Sequence, residues 1–109
     1  MTTGKHILLD LLASEGVDII FGNPGTTELP LMDAMVVEKR IRYIVGLNEV
    51  IVMVMADGYA QASGRLAVCN LHAAPGLGNA MGMLYNAKKA GSPVLVTAGQ
   101  QDTTIALTE

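Results

Sequence analysis

Apolar and polar positions along the chain alternate between two spacings, one typical of helices and one typical of buried strands. Short apolar runs rich in β-branched residues predict four strands, at residues 17–22, 42–47, 66–72 and 93–99. Helical spacing occupies the intervals between these runs. Regular alternation of helix and strand predicts an α/β fold, a three-layer doubly wound parallel sheet with helices on both faces.

The first and last predicted helices carry clear stop signals. Residues 6–16 have helical spacing and end at Gly16, and residues 75–91 have the same spacing and end at Gly91. The predicted apolar face of the first helix consists of Ile7, Leu8, Leu11 and Leu12. Both segments are therefore predicted to pack one face on the sheet.

A short helix is predicted within residues 23–35, after an opening with turn chemistry. Thr26 or Thr27 would cap this helix, and Glu28 would lie in its first turn, where a negative charge meets the positive end of the helix dipole. The segment is therefore interpreted as a loop that turns into a helix.

The uncharged run after Glu49 has the composition of either a strand or a helix. Three features favour a helix: the run continues into an alanine-rich stretch, it ends at Gly64, and a strand is already predicted just before it. Glu49 would then lie at the junction between strand and helix.

Composition narrows the classes of function. A chain of 109 residues with net charge −3 forms one domain and has no basic patch, so nucleic acid is not expected as a partner. The single cysteine, Cys69, excludes an internal disulfide framework. Asn70, His72 and Pro75 interrupt the uncharged stretch 66–87, so no membrane span is predicted, and a cytoplasmic location is expected. The apolar fraction of 50% suggests surface that contacts other protein.

The polar and titratable residues concentrate in the loops that follow the predicted strands. Those loops contain Asn23 to Thr27, Asn48 with Glu49, His72, and Gln100 to Asp102. Parallel strands bring their carboxyl ends to one edge of the sheet, where ligands bind in folds of this kind. A binding site is therefore predicted at that edge.

Each candidate in this site also has a purely structural interpretation. Glu49 is either an acid stabilised by the helix dipole or a carboxylate that shares a proton with a ligand nitrogen. His72 is either a hydrogen-bonded structural histidine or a proton donor. The loop at residues 23–27 is either a plain turn or a cradle for a carboxylate. The glycines of residues 76–82 do not match a dinucleotide fingerprint, and no residues have the spacing of a metal site.

Four stretches resemble, in order and spacing, the N-terminal pyrimidine-binding domain of thiamine diphosphate-dependent enzymes. They are FGNPGTTELPLMDAM, GLNEVIVMVMADGYAQASGR, NLHAAPGLGNAMGMLYNA and SPVLVTAGQQD, and they cover almost the whole chain. Within that family the likeness is strongest to the benzoylformate decarboxylases, through FGNPG, ADGYAQAS, NLH and VTAGQQ. The resemblance implies the pyrimidine-type thiamine diphosphate-binding fold and a 2-oxo acid decarboxylase.

The resemblance also implies roles for three residues. Glu49 would be a catalytic and cofactor-binding acid that hydrogen-bonds the N1′ nitrogen of the aminopyrimidine and so activates the thiazolium ring, where a 2-oxo acid loses carbon dioxide. His72 matches the active-site histidine that contacts the substrate and transfers a proton. Thr26 stands where the decarboxylases have serine beside the substrate carboxylate, and its extra methyl group narrows the pocket.

Further residues of the same motifs complete the expected site. Asn23 is assigned to the substrate, Pro24, Gly25 and Asn79 are assigned to the cofactor, and Gln101 is a further candidate. No residue of this chain is predicted to bind a metal directly. The Mg²⁺ that accompanies the cofactor would be held by a diphosphate-binding domain.

The resemblance identifies residues 1–109 as one domain, without the central and diphosphate-binding domains of the family. Family members build the site between this domain of one subunit and the diphosphate-binding domain of another. A homo-oligomer, a dimer in the simplest case, is therefore expected. The chain alone is expected to be a fragment with little or no activity.

Two other functions stay open at the level of sequence. The domain could belong to an acetolactate synthase-like carboligase, although the histidine in NLHAAPG favours a decarboxylase. It could also be a non-catalytic, standalone α/β domain that binds a partner or itself through an exposed apolar edge.

Overall fold

A parallel four-stranded sheet forms the centre of the protein in a computed structural model that describes residues 2–106. The strands are β1 (Ile19–Gly22), β2 (Arg42–Val45), β3 (Ala67–Leu71) and β4 (Val94–Ala98). Their order across the sheet is β2-β1-β3-β4. The four predicted strands are confirmed, each with slightly shorter bounds than the apolar run suggested.

Helices cover both faces of the sheet, as the alternating pattern predicts. They are α1 (Gly4–Ser14), α2 (Leu29–Met35), α3 (Glu49–Ser63), α4 (Ala73–Ala90) and the short α5 (Thr103–Ala106). A single 3-10 turn, Thr26–Glu28, precedes α2. The three-layer, doubly wound α/β architecture is therefore confirmed.

Two apolar cores lie on opposite faces of the sheet. On one face, α1 and α2 enclose a cluster that includes Leu9, Ile20 and Val68. On the other face, α3 and α4 enclose a larger cluster built around Met53 and Cys69. Every residue of β1 and β3 is buried, because these central strands are covered on both sides, whereas β2 and β4 are partly exposed edges within the described residues.

The uncharged run after Glu49 is helical, as predicted. Asn48 caps α3 by accepting a hydrogen bond from the Val50 amide at 2.8 Å, and Gly64 ends the helix in the left-handed conformation with φ of 68°. The cap fixes Glu49 as the first residue of the helix, at the carboxyl edge of the sheet.

Two predictions about local structure were wrong. In α1 the buried leucines are Leu9 and Leu12, whereas Ile7 and Leu11 are exposed, so the buried face is rotated by about one residue. Neither threonine of the loop caps a helix: the 3-10 turn begins after Gly25, and the Gly25 amide donates to the carboxylate of Glu28 at 2.8 Å.

The last predicted helix begins earlier than its spacing indicated. It starts at Ala73, directly after His72, and ends before Gly91, which adopts φ of 70°. No helix within residues 2–106 is long and apolar enough to cross a membrane.

Candidate active site

The loops after β1, β2 and β3 meet at the carboxyl edge of the sheet. The chain runs from β1 to β2 on one side and then crosses back to β3, so β1 and β3 form the point where the strand order reverses. Ligand clefts of doubly wound sheets lie at this point. It is flanked here by Asn23 after β1 and by His72 after β3.

Two amide side chains hold the carboxylate of Glu49. Asn23 donates from Nδ2 to Oε1 at 2.9 Å, and Asn79 donates from Nδ2 to Oε2 at 3.0 Å. The sequence predicted a buried acid, whereas Glu49 is half-buried. A carboxylate offers about four acceptor positions, so the two amides leave capacity for a ligand N–H.

The electrostatic environment favours the charged form of Glu49. The hydrogen bond from Asn79 is the largest of the effects that lower the pKa of Glu49, and its own backbone amide at the start of α3 acts in the same direction. Desolvation opposes them and Asn23 adds to them, with the net pKa below the ordinary value. Glu49 is thus an anionic hydrogen-bond acceptor in this domain.

His72 is bound to a buried acid on its other side. The carboxylate of Glu28 lies 2.9 Å from Nδ1 of His72, and the hydroxyl of Thr27 lies 3.0 Å from the same nitrogen. Thr27 also donates to Oε1 of Glu28. Only 2% of the Glu28 side chain is exposed, against 32% for His72. A buried carboxylate therefore supports the histidine from inside the fold.

Glycines make room for this pair. A Cβ atom at Gly25 would overlap the imidazole ring of His72, and a Cβ atom at Gly99 would overlap the carboxylate of Glu28. Ala73, next to the histidine, has φ of 49°, a conformation that residues with a Cβ adopt at a cost of roughly 1 kcal/mol or more. Close packing and an unusual backbone turn together fix the position of the ring.

The predicted substrate residue Thr26 lies apart from the histidine pair. Thr26 is exposed and lines an open cleft of about 600 Å³ together with Thr27, Gln101 and Asp102. The hydroxyl that contacts His72 is that of Thr27. Pro24 and Gly25 are half-buried in the loop between Asn23 and this cleft.

The sequence did not assign Glu28 to the site, and it included Thr27 only as part of the loop at residues 23–27. Glu28 was interpreted as a first-turn acid, and its link to His72 spans 44 positions along the chain. One local signal was present: an acid three positions after Gly25 has the spacing at which a side chain reaches back to a loop amide.

The residues at this edge fit an aminopyrimidine ring on chemical grounds. Such a ring presents nitrogen donors and acceptors, which match an anionic acceptor held by two amides. The amino group of the ring could donate to the carboxylate of Glu49, and a ring nitrogen could share a proton with it, while Asn23 and Asn79 hold the carboxylate in place.

Comparison with known proteins gives a consistent family. Residues 2–108 match the family described as the thiamine pyrophosphate enzyme, N-terminal TPP binding domain. The chain is 51% identical over 101 residues to benzoylformate decarboxylase of Pseudomonas aeruginosa, covering 93% of this chain and 19% of that protein. It is 37% identical over 99 residues to the acetolactate synthase large subunit of Lactococcus lactis, covering 91% and 17%.

A solved structure supports the same relation. The thiamine diphosphate-dependent 4-hydroxybenzoylformate decarboxylase of Rhodococcus jostii RHA1 superposes with a TM-score of 0.92 and 43% identity, covering 98% of this chain and 20% of that one. The chain therefore spans about a fifth of the length of the relatives that it matches.

Proposed function

This chain belongs to the thiamine pyrophosphate enzyme N-terminal domain family, and we propose that it is the pyrimidine-binding domain of a 2-oxo acid decarboxylase of the benzoylformate decarboxylase type. The observation that carries the proposal is the pair of amide hydrogen bonds that aims Glu49 beside His72 at one edge of the sheet. Acetolactate synthases also match the chain, so the choice between decarboxylase and carboligase rests on His72.

Glu49 acts through its hydrogen bond to the cofactor. When bound, thiamine diphosphate supplies an electron sink for the breaking carbon–carbon bond. Glu49 would share a proton with the ring nitrogen of the aminopyrimidine, and its carboxylate would accept the hydrogen bond once that nitrogen is protonated. Asn23 and Asn79 would prevent the carboxylate from rotating away. A closed, drier site would raise the proton affinity of Glu49, which suits proton exchange with the ring nitrogen.

His72 lies at the switch point between β1 and β3, about a third exposed. An imidazole in that position can give or take a proton near neutral pH. His72 would donate a proton to the substrate carbon that has lost carbon dioxide. Thr26, Thr27 and Gln101 line the neighbouring cleft, where their hydroxyl and amide groups would meet the polar end of a 2-oxo acid.

The remaining parts of the enzyme are proposed to lie outside this domain. Mg²⁺ and the cofactor diphosphate would be bound by a diphosphate-binding domain of a second subunit, and a homo-oligomer would bring the two together. We expect this chain alone to bind thiamine diphosphate weakly. Calorimetry that shows micromolar binding by the isolated chain would contradict this arrangement.

The catalytic assignment is tested in the complete native polypeptide that carries this domain, whose mass is established first. Glu49→Gln is expected to lower kcat by at least about 100-fold, the usual contribution of a positioned acid or base. Glu15→Gln, an exposed change at the end of α1, is the matched control. Unchanged turnover of benzoylformate by the Glu49 variant would refute its role.

The choice between the two reactions is tested at His72. His72→Ala is expected to abolish most decarboxylation while the affinity for the cofactor stays unchanged. Formation of acetolactate from pyruvate, unaffected by His72→Ala, would favour the carboligase. Loss of cofactor binding instead would indicate that His72 is structural.

A further inference from the structure

We propose that Glu28 is a positioning residue that holds His72 in the tautomer with its hydrogen on Nδ1, so that Nε2 is the nitrogen that exchanges protons in the cleft. Its importance for catalysis rests on the proposed function of His72. The tautomer itself is a property of this domain and can be measured without cofactor or substrate.

The hydrogen-bond partners of Nδ1 determine where its hydrogen lies. A carboxylate has no hydrogen to donate, and the oxygen of Glu28 that meets Nδ1 lies 2.9 Å away. The single hydroxyl hydrogen of Thr27 is directed to the other oxygen of Glu28. Both neighbours of Nδ1 therefore act as acceptors, and Nδ1 must carry the hydrogen.

Glu28 remains ionised although it is buried. Burial raises its pKa, but hydrogen bonds from the Thr27 hydroxyl, the Gly25 amide and the His72 ring together hold that pKa below its ordinary value. The Gly25 amide donates at 2.8 Å to the same oxygen that accepts from His72. The acceptor for Nδ1 is thus present at and above the ordinary carboxyl pKa of about 4.3.

Packing against Gly25 and the hydrogen bond to Glu28 keep the His72 ring in one orientation. The imidazole lies so close to Gly25 that a Cβ atom there would overlap Cγ, Nδ1 and Cδ2. A flip of the ring would place a carbon atom against the Glu28 carboxylate and lose the charge-assisted hydrogen bond. Neutral His72 consequently presents a lone pair at Nε2, and charged His72 presents an N–H at the same atom.

A purely structural role for Glu28 makes a different prediction. If Glu28 only tied the 3-10 turn to the end of β3, its loss would lower stability without setting the tautomer. Positioning requires that the tautomer depend on an acceptor at this site. It also requires that a neutral side chain with the same shape preserve the tautomer.

The experiment measures the tautomer of His72 in this chain by long-range proton–nitrogen correlation with ¹⁵N-labelled histidine. The measurement is made at a pH above which the ¹⁵N shifts of the histidine rings no longer change, so that both rings are neutral. His6→Gln assigns the signals, because His6 and His72 are the two histidines of the sequence. The Nδ1–H form of His72 is expected to exceed the other form by roughly tenfold or more.

Three variants complete the test. Glu28→Ala is expected to shift the tautomer ratio of His72 toward the Nε2–H form, because the Thr27 hydroxyl then loses its acceptor and can donate to Nδ1. The tautomer ratio of His6 is expected to stay unchanged. Glu28→Gln is expected to retain the Nδ1–H form, because the Gly25 amide orients the side-chain oxygen toward the histidine. Glu15→Ala, with the same charge change at an exposed position, is expected to have no effect.

The proposal is overturned if the parent chain shows His72 mainly with its hydrogen on Nε2, or if the folded Glu28→Ala variant keeps the parent ratio. Should Glu28→Ala fail to fold, the parent spectrum and the Glu28→Gln spectrum still decide. An enzyme that lacks decarboxylase activity while His72 keeps the Nδ1–H form would refute the proposed function and leave this inference standing.

Discussion

Asn79 contacts Glu49 from the second turn of α4, across the gap between two helices. Both residues are close to the surface, so little desolvation energy is needed to place the Asn79 amide there. The hydrogen bond from Asn79 nevertheless matters, because it is the largest of the effects that lower the pKa of Glu49. One exposed amide therefore makes the largest contribution to the lowered pKa of the proposed catalytic acid.

Removal of that amide gives a prediction at the residue scale. Asn79→Ala is expected to raise the pKa of Glu49 toward its ordinary value, because the charged form loses a hydrogen bond that the neutral form uses less well. Carboxyl carbon shifts measured against pH would show the change. Asn86→Ala, seven positions farther along the same helix and also exposed, should leave the Glu49 titration as it is.

Gly25 gives a second prediction at this scale. Its backbone lies in the extended region, with φ of −119°, so alanine is conformationally allowed there. Gly25→Ala should displace the His72 ring by overlap and lower the free energy of unfolding by about 1–3 kcal/mol. Urea unfolding and the shifts of the His72 ring protons would measure both effects.

Gly78→Ala is the matched control for that substitution. Gly78 lies within α4, and a Cβ atom there would have nothing within 4 Å. Alanine should therefore stabilise the helix by about 0.5–1 kcal/mol. A Gly25→Ala variant with an unmoved His72 ring would contradict the close packing described for this pair.

At the scale of elements, α3 is the helix that delivers Glu49. Its N-terminus is fixed by the side chain of Asn48, which accepts from the Val50 amide. Asn48→Ala is expected to lower the free energy of unfolding by about 1 kcal/mol, as measured by urea denaturation. Asn48→Ser should restore most of the loss, since serine supplies an acceptor at the same position; equal losses would argue against capping.

The helices show which local features the sequence could determine. The run after Glu49 was correctly predicted as helix, because the alanine-rich continuation, the terminal glycine and the strand predicted just before it all agreed. The buried face of α1 was predicted wrongly, because five apolar residues within residues 7–12 allow more than one apolar face. Docking against the sheet selects Leu9 and Leu12, and periodicity alone does not contain that information.

In the site as well, some features could be predicted from the sequence and others depend on packing between distant residues. Parallel topology brings every strand end to one edge, so the placement of Asn23, Glu49 and His72 at that edge followed from the alternation of strand and helix along the sequence. The pairing of Glu28 with His72 did not follow, because it depends on the clearance at Gly25 and Gly99 after folding. Contacts of this kind are set by packing geometry, which a single sequence does not display.

At the scale of the whole molecule, carboxylates with lowered pKa values make stability depend on pH. They include Asp18, Glu28, Glu38 and Asp57, with Glu38 at about 2. Between the folded and unfolded pKa values the unfolded chain binds more protons, so stability is lost as pH falls. The free energy of unfolding is expected to be steady above about pH 5 and to decline below about pH 4.3.

Denaturant unfolding at a series of pH values measures this decline. Glu28→Gln should flatten the slope, because one of the carboxylates whose pKa is lowered has been removed, while Glu15→Gln should not. A parent protein that is equally stable at pH 3 and pH 6, values chosen to lie roughly either side of the ordinary carboxyl pKa, would contradict the expectation.

The neighbours of Glu49 along the chain are water-exposed apolar side chains, Leu47 at 91% and Val50 at 40%. A protein surface that packs on Leu47 and Val50 would exclude water from the carboxylate of Glu49. Hydration adds to the hydrogen bonds that keep the Glu49 carboxylate anionic in the solitary domain, and loss of that water would raise its affinity for a proton. The ability of Glu49 to exchange a proton would then depend on assembly, and an unassembled subunit would be inactive.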